Sequence, residues 1–275
     1  MLFRSSKSPF TPLFSNPLEP YPGLTINDLN RYLPAVRTVD DIKMTPEGMS
    51  EGLFLAETIE GLQKLPDNTI DLLIAKPPED PWANIENSPQ KMTLQDFYQW
   101  NEKWLQESMR VLQPTGAIYL LCGWRYSGMY HALLNDHFKI QSRITWNNKP
   151  AKGQGKSPTW LNQSSDIWFA TKSNDFLFNQ NYVQKESLEM NWNDDEISHS
   201  NFWADIRPLP GDEHIPDRLL NRILKASSFK LNWVLDPFLG EGIIGRITKK
   251  SGRRFIGFGN DKDKLLMAMK KIDQS

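Results

Sequence analysis

The distribution of apolar residues along the chain predicts that strands and helices alternate. Short apolar runs predict strands at 52–55, 69–75, 117–121, 139–146, 233–235 and 254–258. Apolar residues at helical spacing predict helices at 58–65, 93–111, 129–134, 216–226, 243–250 and from 262 onward. This alternation is typical of an α/β domain with a doubly wound, parallel sheet.

Two segments interrupt the alternation. Residues 1–48 are rich in Pro, Ser and Asn and contain only a hint of a helix at 26–33, so we interpret them as an N-terminal arm on the surface. Residues 147–210 are dominated by Lys, Gly, Ser, Asn and Asp, which predicts an irregular insertion. The remainder of the chain, 49–275, is interpreted as one domain that contains this insertion.

Composition narrows the class of protein. With 39% hydrophobic and 24% charged residues, the 275-residue chain has the composition of a soluble globular protein. No run approaches the ~18 apolar residues of a membrane span, and the N-terminus lacks the apolar core of a signal peptide, so we expect a cytoplasmic protein. A single cysteine, Cys122, excludes a disulfide framework, and the four histidines lie too far apart for a zinc site.

The clearest motif lies between a predicted strand and a predicted helix, where the chain reads Asp236-Pro237-Phe238-Leu239-Gly240-Glu241-Gly242. Glycines let the backbone approach a ligand closely, and the start of a helix offers unpaired N–H groups. The pattern therefore indicates a loop that binds a nucleotide-type cofactor. The alternative is a plain tight turn between strand and helix, because a Gly-x-Gly pattern alone is weakly specific.

This motif, followed by Gly252-Arg253-Arg254-Phe255-Ile256-Gly257-Phe258, resembles the cofactor-binding half of the β-class DNA amino-methyltransferases. The catalytic signature of that class, Asp-Pro-Pro-Tyr or Ser-Pro-Pro-Tyr at a strand end, is matched in position by Lys76-Pro77-Pro78-Glu79. The resemblance spans roughly residues 52–272. It implies a Rossmann-like methyltransferase sheet with a permuted motif order, in which the catalytic half comes first.

The resemblance also implies a reaction and a set of site residues. The expected reaction is direct transfer of the methyl group of S-adenosylmethionine to the exocyclic amine of adenine or cytosine in DNA. The catalytic motif positions are Lys76, Pro77, Pro78, Glu79 and Asp80. The cofactor-binding positions are Asp236, Pro237, Phe238, Gly240, Glu241, Gly242, Gly259 and Asn260.

Several of these positions depart from the pattern of the class. Lys76 replaces a residue that accepts hydrogen bonds from the target amine, and a charged lysine has three donors and no acceptor. Glu79 replaces the aromatic residue that stacks on the flipped base, and Gly259 replaces the acid that holds the ribose hydroxyls. Glu241 replaces a small residue and is expected to add bulk and negative charge to the cofactor loop. We therefore expect methyl transfer to be impaired and cofactor binding to be weak or lost.

Compensation for these changes is an open alternative. Asp80 and Trp82 supply an acceptor and an aromatic ring a few residues later, and Asn260 or Asp261 would replace the ribose acid if either side chain reached it. The interpretation that we favour instead is a salt bridge between Lys76 and Glu79 that fills the empty pocket.

The predicted insertion contains the candidate contacts to DNA, which are Lys149, Lys152, Lys156 and Trp160. Lysines neutralise phosphates and tryptophan offers a stacking face, although an ordinary solvated loop has the same composition. Three hypotheses follow. The chain is a pseudo-methyltransferase that binds DNA or a partner, an active enzyme with a divergent pocket, or the inactive subunit of a heterodimer with a catalytic paralogue. A homodimer is also open, and no metal or membrane partner is expected.

Overall fold

The computed structural model describes residues 23–78, 93–148, 160, 162–183, 200–208 and 215–275. These residues form nine strands: β1 (Arg37–Thr38), β2 (Gly52–Leu55), β3 (Ile70–Ala75), β4 (Leu112–Gly123), β5 (Lys139–Asn147), β6 (Ser164–Thr171), β7 (Phe202–Trp203), β8 (Trp233–Asp236) and β9 (Arg254–Gly259). The α-helices with resolved bounds are α1 (Ile26–Tyr32), α2 (Thr58–Gln63), α3 (Leu94–Val111), α4 (Trp124–His137), α5 (Asp217–Ser227), α6 (Ile243–Lys250) and α7 (Lys262–Asp273). All of the predicted strands and helices are present.

The strands form a single sheet in the order β1-β2-β9-β8-β3-β4-β6-β5-β7. All neighbouring pairs are parallel except those of β6, which runs antiparallel to both β4 and β5. Helices α2, α3 and α4 contribute to the core on one face of the sheet, and α5, α6 and α7 contribute to the core on the other. The predicted doubly wound α/β class is confirmed. The strand that precedes the catalytic motif, β3, comes before the strand that precedes the glycine loop, β8, and the two are paired with Leu72 opposite Val234, as the permuted order requires.

The prediction of an irregular segment over 147–210 is wrong for residues 164–171. These residues form β6, a strand in the interior of the sheet that is buried over nearly its whole length. Its first residues, Ser164, Ser165 and Asp166, are polar, and this polarity masks the apolar run that follows. An antiparallel strand also needs no crossover helix, so the helix–strand alternation that identified the other strands gave no signal here.

The segment that precedes residue 48 contributes structure to the domain. Thr25 and Asp28 form a capping box that begins α1, which confirms the predicted short helix. Leu29 and Tyr32 of this helix pack with Leu266 of α7 in a small separate cluster. The chain then adds β1 to the edge of the sheet beside β2. The described part of the predicted arm is therefore packed against the domain.

Loops that follow parallel strands meet at one edge of the sheet, where open α/β folds bind their ligands. Here β2, β3, β8 and β9 are neighbours, so the residues that follow them are brought together at this edge. In the interior, Cys122 lies buried near the end of β4, as predicted.

Candidate functional site

A cleft of about 520 Å³ opens at the carboxyl ends of β2, β3, β8 and β9. Its volume lies within the range of sites that bind small molecules and cofactors. Both halves of the predicted site contribute to its walls, although they are about 160 residues apart in the sequence. The lining residues are Glu57, Thr58, Lys76, Pro78, Trp100, Pro237, Phe238, Leu239, Gly240, Phe258, Gly259, Asn260, Asp261 and Lys264.

The loop after β8 is held in place by its backbone. Asp236, the last residue of β8, is buried and accepts a hydrogen bond of 3.0 Å from the backbone N–H of Phe238. The N–H of Leu239 donates to the carbonyl of Phe258 in β9 at 2.8 Å, and the Thr58 hydroxyl donates to the carbonyl of Pro237 at 2.8 Å. The loop is therefore anchored to β9 and α2 on two sides of the cleft.

Two glycines give this loop its shape. Gly240 has a φ of 49° and Gly242 a φ of 77°, in the left-handed region that side-chain-bearing residues rarely adopt. A Cβ atom on Gly242 would also lie 2.6 Å from the Cβ of Ala268 in α7. Glycine is thus required at Gly242 both by the backbone conformation and by the close approach of α7.

Burial changes the acidity of Asp236. Because its carboxyl group is removed from water, its pKa rises to about 7, and the hydrogen bond from Phe238 N–H only partly opposes this effect. Its carboxyl group does not line the cleft. We assign it to anchoring the turn rather than to contact with a ligand.

An aromatic wall borders the cleft. The ring of Phe238 lies 5.7 Å from Trp100 and 5.2 Å from Trp104, with an edge-on arrangement in the second pair. Both tryptophans of α3 are among the apolar residues whose helical spacing predicts this helix, and residues in such a pattern usually face the core. This holds for Trp104, which is fully buried, but Trp100 also lines the cleft. Only the packing of α3 against the loop after β8 distinguishes them.

The end of the cleft beside β9 is polar but lacks the acid expected after that strand. Gly259 borders open space, since a Cβ atom there would meet only Leu239 at 3.6 Å. Asn260 donates from Nδ2 to Glu57 Oε1 at 3.1 Å. Asp261 caps α7 by accepting hydrogen bonds from the backbone N–H groups of Asp263 and Lys264. Both of the residues considered as replacements for the ribose acid line the cleft and make other hydrogen bonds, although Asp261 uses only one carboxylate oxygen, Oδ1, for the cap.

Glu57 is the carboxylate of this cleft that sequence reasoning missed. It follows β2, and the pairing of β2 with β9 places it beside Asn260, since Ala56 N–H donates to the carbonyl of Gly259 at 3.0 Å. Its position just after a short strand is the one signal in the sequence that would have identified it. An adenosine-sized ligand would find a carboxylate here that can accept from its hydroxyl or amino groups.

Lys76 and Pro78 line the opposite end of the cleft, directly after β3, and Pro77 between them is buried. The side chain of Lys76 therefore lies at the end of a central strand, in the position predicted for the catalytic motif. Glu79 and Asp80 lie outside the described residues, and the proposed salt bridge between Lys76 and Glu79 stays a prediction.

Of the eight predicted cofactor positions, five line the cleft: Pro237, Phe238, Gly240, Gly259 and Asn260. Asp236 and Gly242 shape the loop from behind, as described above. Glu241 does not line the cleft, because its carboxylate is paired with Lys271 of α7. Glu241 is part of the loop, and the expected effect of its bulk and charge on cofactor binding stays a prediction.

Of the candidate DNA contacts, only Trp160 is among the described residues. Lys149, Lys152 and Lys156 lie outside the described residues, and Trp160 is 97% exposed. Among the described residues there is no group of His, Cys, Asp and Glu side chains that could hold a metal ion. None of the helices in the described part of the chain is long and apolar enough to cross a membrane.

A family model described as DNA methylase, N6_N4_Mtase, matches residues 70–270, which include both halves of the cleft. The chain belongs to this DNA methylase family. It is 29% identical over 240 residues to the type II methyltransferase M.HpaI of Haemophilus parainfluenzae, covering 82% of this chain and 75% of that protein. It is 27% identical to the type II methyltransferase M2.DpnII of Streptococcus pneumoniae, covering 80% and 89% respectively.

Solved structures of DNA methylases share the fold. The cytosine-N4-specific PvuII DNA methyltransferase superposes with a TM-score of 0.65 at 14% identity, covering 81% of this chain and 86% of that one. TTHA0409 of Thermus thermophilus, in complex with S-adenosyl-L-methionine, superposes with a TM-score of 0.63 at 19% identity, covering 82% and 94%. The predicted family and the Rossmann-like fold are thus confirmed.

Some features of the cleft suit the cofactor that the family resemblance implies, and others do not. The volume, the glycine loop and the carboxylate of Glu57 suit an adenosine moiety. The absence of a side chain at Gly259 and the cation of Lys76 do not suit the ribose hydroxyls and the methyl-transfer centre that the family resemblance implies there. Impaired activity, and a catalytic paralogue or a second copy of the chain as partner, stay predictions.

Proposed function

We propose that this DNA methylase family member binds DNA without transferring a methyl group. The observation that supports this proposal is the position of Lys76, which follows β3 directly and lines the cleft where the family motif supplies an acceptor. Methyl transfer to an exocyclic amine requires acceptors for the protons of that amine, since these raise its nucleophilicity. A charged lysine offers only donors.

The charge of Lys76 opposes the reaction as well. Positive charge develops on an amine as it attacks a methyl group, and catalytic sites stabilise the charge that develops in the transition state. A lysine ammonium at the attacked position would destabilise that charge. Lys76 thus affects both the ground-state orientation of the amine and the energy of the transition state.

The cofactor end of the cleft supports the same conclusion. Gly259 provides no carboxylate, and Asn260 and Asp261 already bind Glu57 and the N-terminus of α7. A charge-assisted hydrogen bond contributes about 1.5–3 kcal/mol, so its loss weakens binding by roughly an order of magnitude or more. Weak cofactor binding adds to the loss of the acceptor at position 76.

A second candidate is an active methyltransferase with a divergent pocket, and one observation favours it. The cleft is open rather than filled by side chains, and it retains the Glu57 carboxylate. If Glu57 holds the cofactor and a residue after Pro78 accepts from the amine, the reaction remains accessible.

Transfer of labelled methyl groups from S-adenosylmethionine to plasmid DNA distinguishes the two candidates. We expect no transfer by the wild-type protein, and measurable transfer by the combined variant Lys76→Asp, Glu79→Tyr and Gly259→Glu. Lys103→Asp is the matched control, because it makes the same charge change on the exposed surface of α3. Transfer by the wild-type protein would refute the proposal in favour of the second candidate.

Binding measurements complete the test. Isothermal titration of the folded wild-type protein with S-adenosylmethionine is expected to give no binding in the micromolar range. A gel-shift assay with duplex DNA at fixed ionic strength is expected to show binding, since phosphate contacts depend strongly on salt. Micromolar cofactor affinity would favour the divergent enzyme, and absence of DNA binding would contradict the DNA-binding part of the proposal.

A further inference from the structure

A large aromatic side chain at the carboxyl end of β4 has no assigned role. Trp124 is the first residue of α4 and is 60% exposed, whereas Trp104, Trp146, Trp168, Trp203 and Trp233 are buried. Aromatic side chains are enriched at binding surfaces, so an exposed indole ring on a packed helix is a candidate contact for a partner.

The topology of the sheet places Trp124 at the same edge as the catalytic motif. Strands β3 and β4 are parallel neighbours, with Ala75 opposite Leu120. β3 ends at Ala75, whereas β4 continues for three more residues to Gly123, and α4 begins there with Trp124. Because neighbouring parallel strands end at one edge of the sheet, Trp124 lies at the same edge as Lys76 and Pro78, which line the cleft.

A chain of aromatic contacts connects the start of α4 to the cleft wall. Tyr126 packs against Phe97 of α3 with ring centroids 5.3 Å apart, and Phe97 stacks on Trp100 at 6.1 Å. Trp100 lines the cleft. The first turn of α4 is therefore fixed against the same helix that forms the wall of the cleft.

The later turns of α4 hold the backbone of Trp124 in a fixed position. The hydroxyl of buried Tyr130 donates to Asn101 Oδ1 at 3.0 Å, and Leu133 and Leu134 are fully buried in the core. The backbone that carries Trp124 is held by these contacts, while its indole ring remains available. A rigid aromatic surface loses little conformational entropy when a partner stacks on it.

The charge next to Trp124 indicates the kind of partner. Arg125 follows it and is exposed, and Lys76 lies at the end of the neighbouring strand. Cations beside a stacking aromatic side chain are the combination that binds nucleic acid, with the cation on phosphate and the ring on a base. An apolar protein partner would not require this charge.

We propose that Trp124 is the stacking surface for an unpaired base of DNA, and that Arg125 contacts the phosphate beside that base. This inference rests on the proposed DNA-binding function and names the residue that engages the base. It assigns to the end of β4 the aromatic surface that the family motif provides after the two prolines, where this chain has Glu79. A protein surface is the alternative partner of Trp124.

The test uses the full-length protein and a duplex that contains 2-aminopurine opposite an abasic site, so that the fluorescent base is already unpaired. Binding is followed by fluorescence anisotropy of a distant label and by quenching of 2-aminopurine, at fixed ionic strength. We expect Trp124→Ala to weaken binding about tenfold and to abolish the quenching, and Trp124→Phe to retain most of both. Arg125→Gln is expected to reduce the dependence of affinity on salt by about one phosphate contact.

Phe229→Ala is the matched control. Phe229 is 54% exposed, but it lies between α5 and β8 at the opposite edge of the sheet, so its removal is expected to leave DNA binding unchanged. If the wild-type protein binds this DNA and Trp124→Ala binds and quenches equally well, the inference is wrong and the proposed function stands. If the wild-type protein binds no DNA, the proposed function itself fails. Methyl transfer by the wild-type protein would overturn only the proposed lack of activity.

Discussion

The loops that follow β8 and β3 lie side by side at one edge of the sheet. The role of the first loop depends on its backbone, whereas the role of the second depends on a single side chain. After β8, backbone hydrogen bonds and two left-handed glycines shape the cleft. After β3, the chemistry depends on which atoms a single side chain presents, and Lys76 presents donors. A site built from backbone tolerates side-chain changes such as Glu241, while a site built from one functional group does not.

The same contrast explains why the cleft persists in a chain that we propose to be inactive. The residues that shape the cleft also hold β8, β9 and α7 together, so the fold itself depends on them. At position 76, by contrast, the chemistry depends on the atoms of one side chain. The predictions below test the difference between the backbone-defined and the side-chain-defined part of the site.

The largest effect is expected from Gly242→Val. The new side chain would need a positive φ and would overlap Ala268, so we expect a loss of at least about 4 kcal/mol in the free energy of unfolding, measured by urea denaturation. Gly259→Ala is the control, because a Cβ there makes only ordinary contacts, and we expect a change within about 0.5 kcal/mol. Equal effects at both positions would contradict a backbone-defined loop.

Asp236→Asn is expected to change how stability depends on pH. The pKa of Asp236 is raised from 3.8 to about 7 in the folded protein, so below about pH 4 the group is protonated in both states and costs nothing. As the pH rises to about 7, the unfolded state ionises first and the folded protein loses stability. Asparagine can still accept from Phe238 N–H and does not ionise, so the variant should gain roughly 4 kcal/mol relative to wild type at pH 8 and little at pH 4.

That prediction is checked by urea denaturation of both proteins across pH 4 to 8. A constant difference between variant and wild type over the whole interval would show that ionisation of Asp236 is not the cause. The measurement would then point to packing of the strand end instead.

Glu57→Gln tests the side-chain-defined part of the cofactor end. Removing the charge of the carboxylate should weaken the binding of adenosine about tenfold, measured by ligand-observed NMR, because a charge-assisted hydrogen bond becomes a neutral one. Glu60→Gln is the control, since Glu60 lies in α2, the helix that begins directly after Glu57, and is exposed and does not line the cleft. Equal adenosine binding by the two variants would remove Glu57 from the binding site.

The smallest effect is expected from Lys271→Ala. Its partner Glu241 is partly exposed and lies outside the cleft, so loss of the pair should change the stability by less than about 1 kcal/mol. Adenosine binding should be unchanged. If adenosine binding fell substantially, the ion pair would be positioning the loop. The loop after β8 would then depend on a side-chain contact as well as on its backbone.

The sequence by itself determined the class of fold, the order of the motifs and the residues that depart from the family pattern. These features are local. The periodicity of apolar residues identifies strands and helices, and the sequence itself shows which residue ends each predicted strand, as at Lys76 and Gly259. Interior strand β6 was missed because it begins with polar residues and needs no crossover helix. The alternation around it could not reveal it.

Only the tertiary structure decided which side chains share the cleft. Glu57 reaches the cleft through the pairing of β2 with β9, Trp100 through the packing of α3, and Glu241 is turned away toward Lys271. Trp124 lies at the same edge of the sheet as Lys76 because β3 and β4 are parallel neighbours. The physical reason is that local periodicity fixes which face of an element is apolar, whereas the direction and neighbours of a loop side chain depend on contacts between residues distant in sequence.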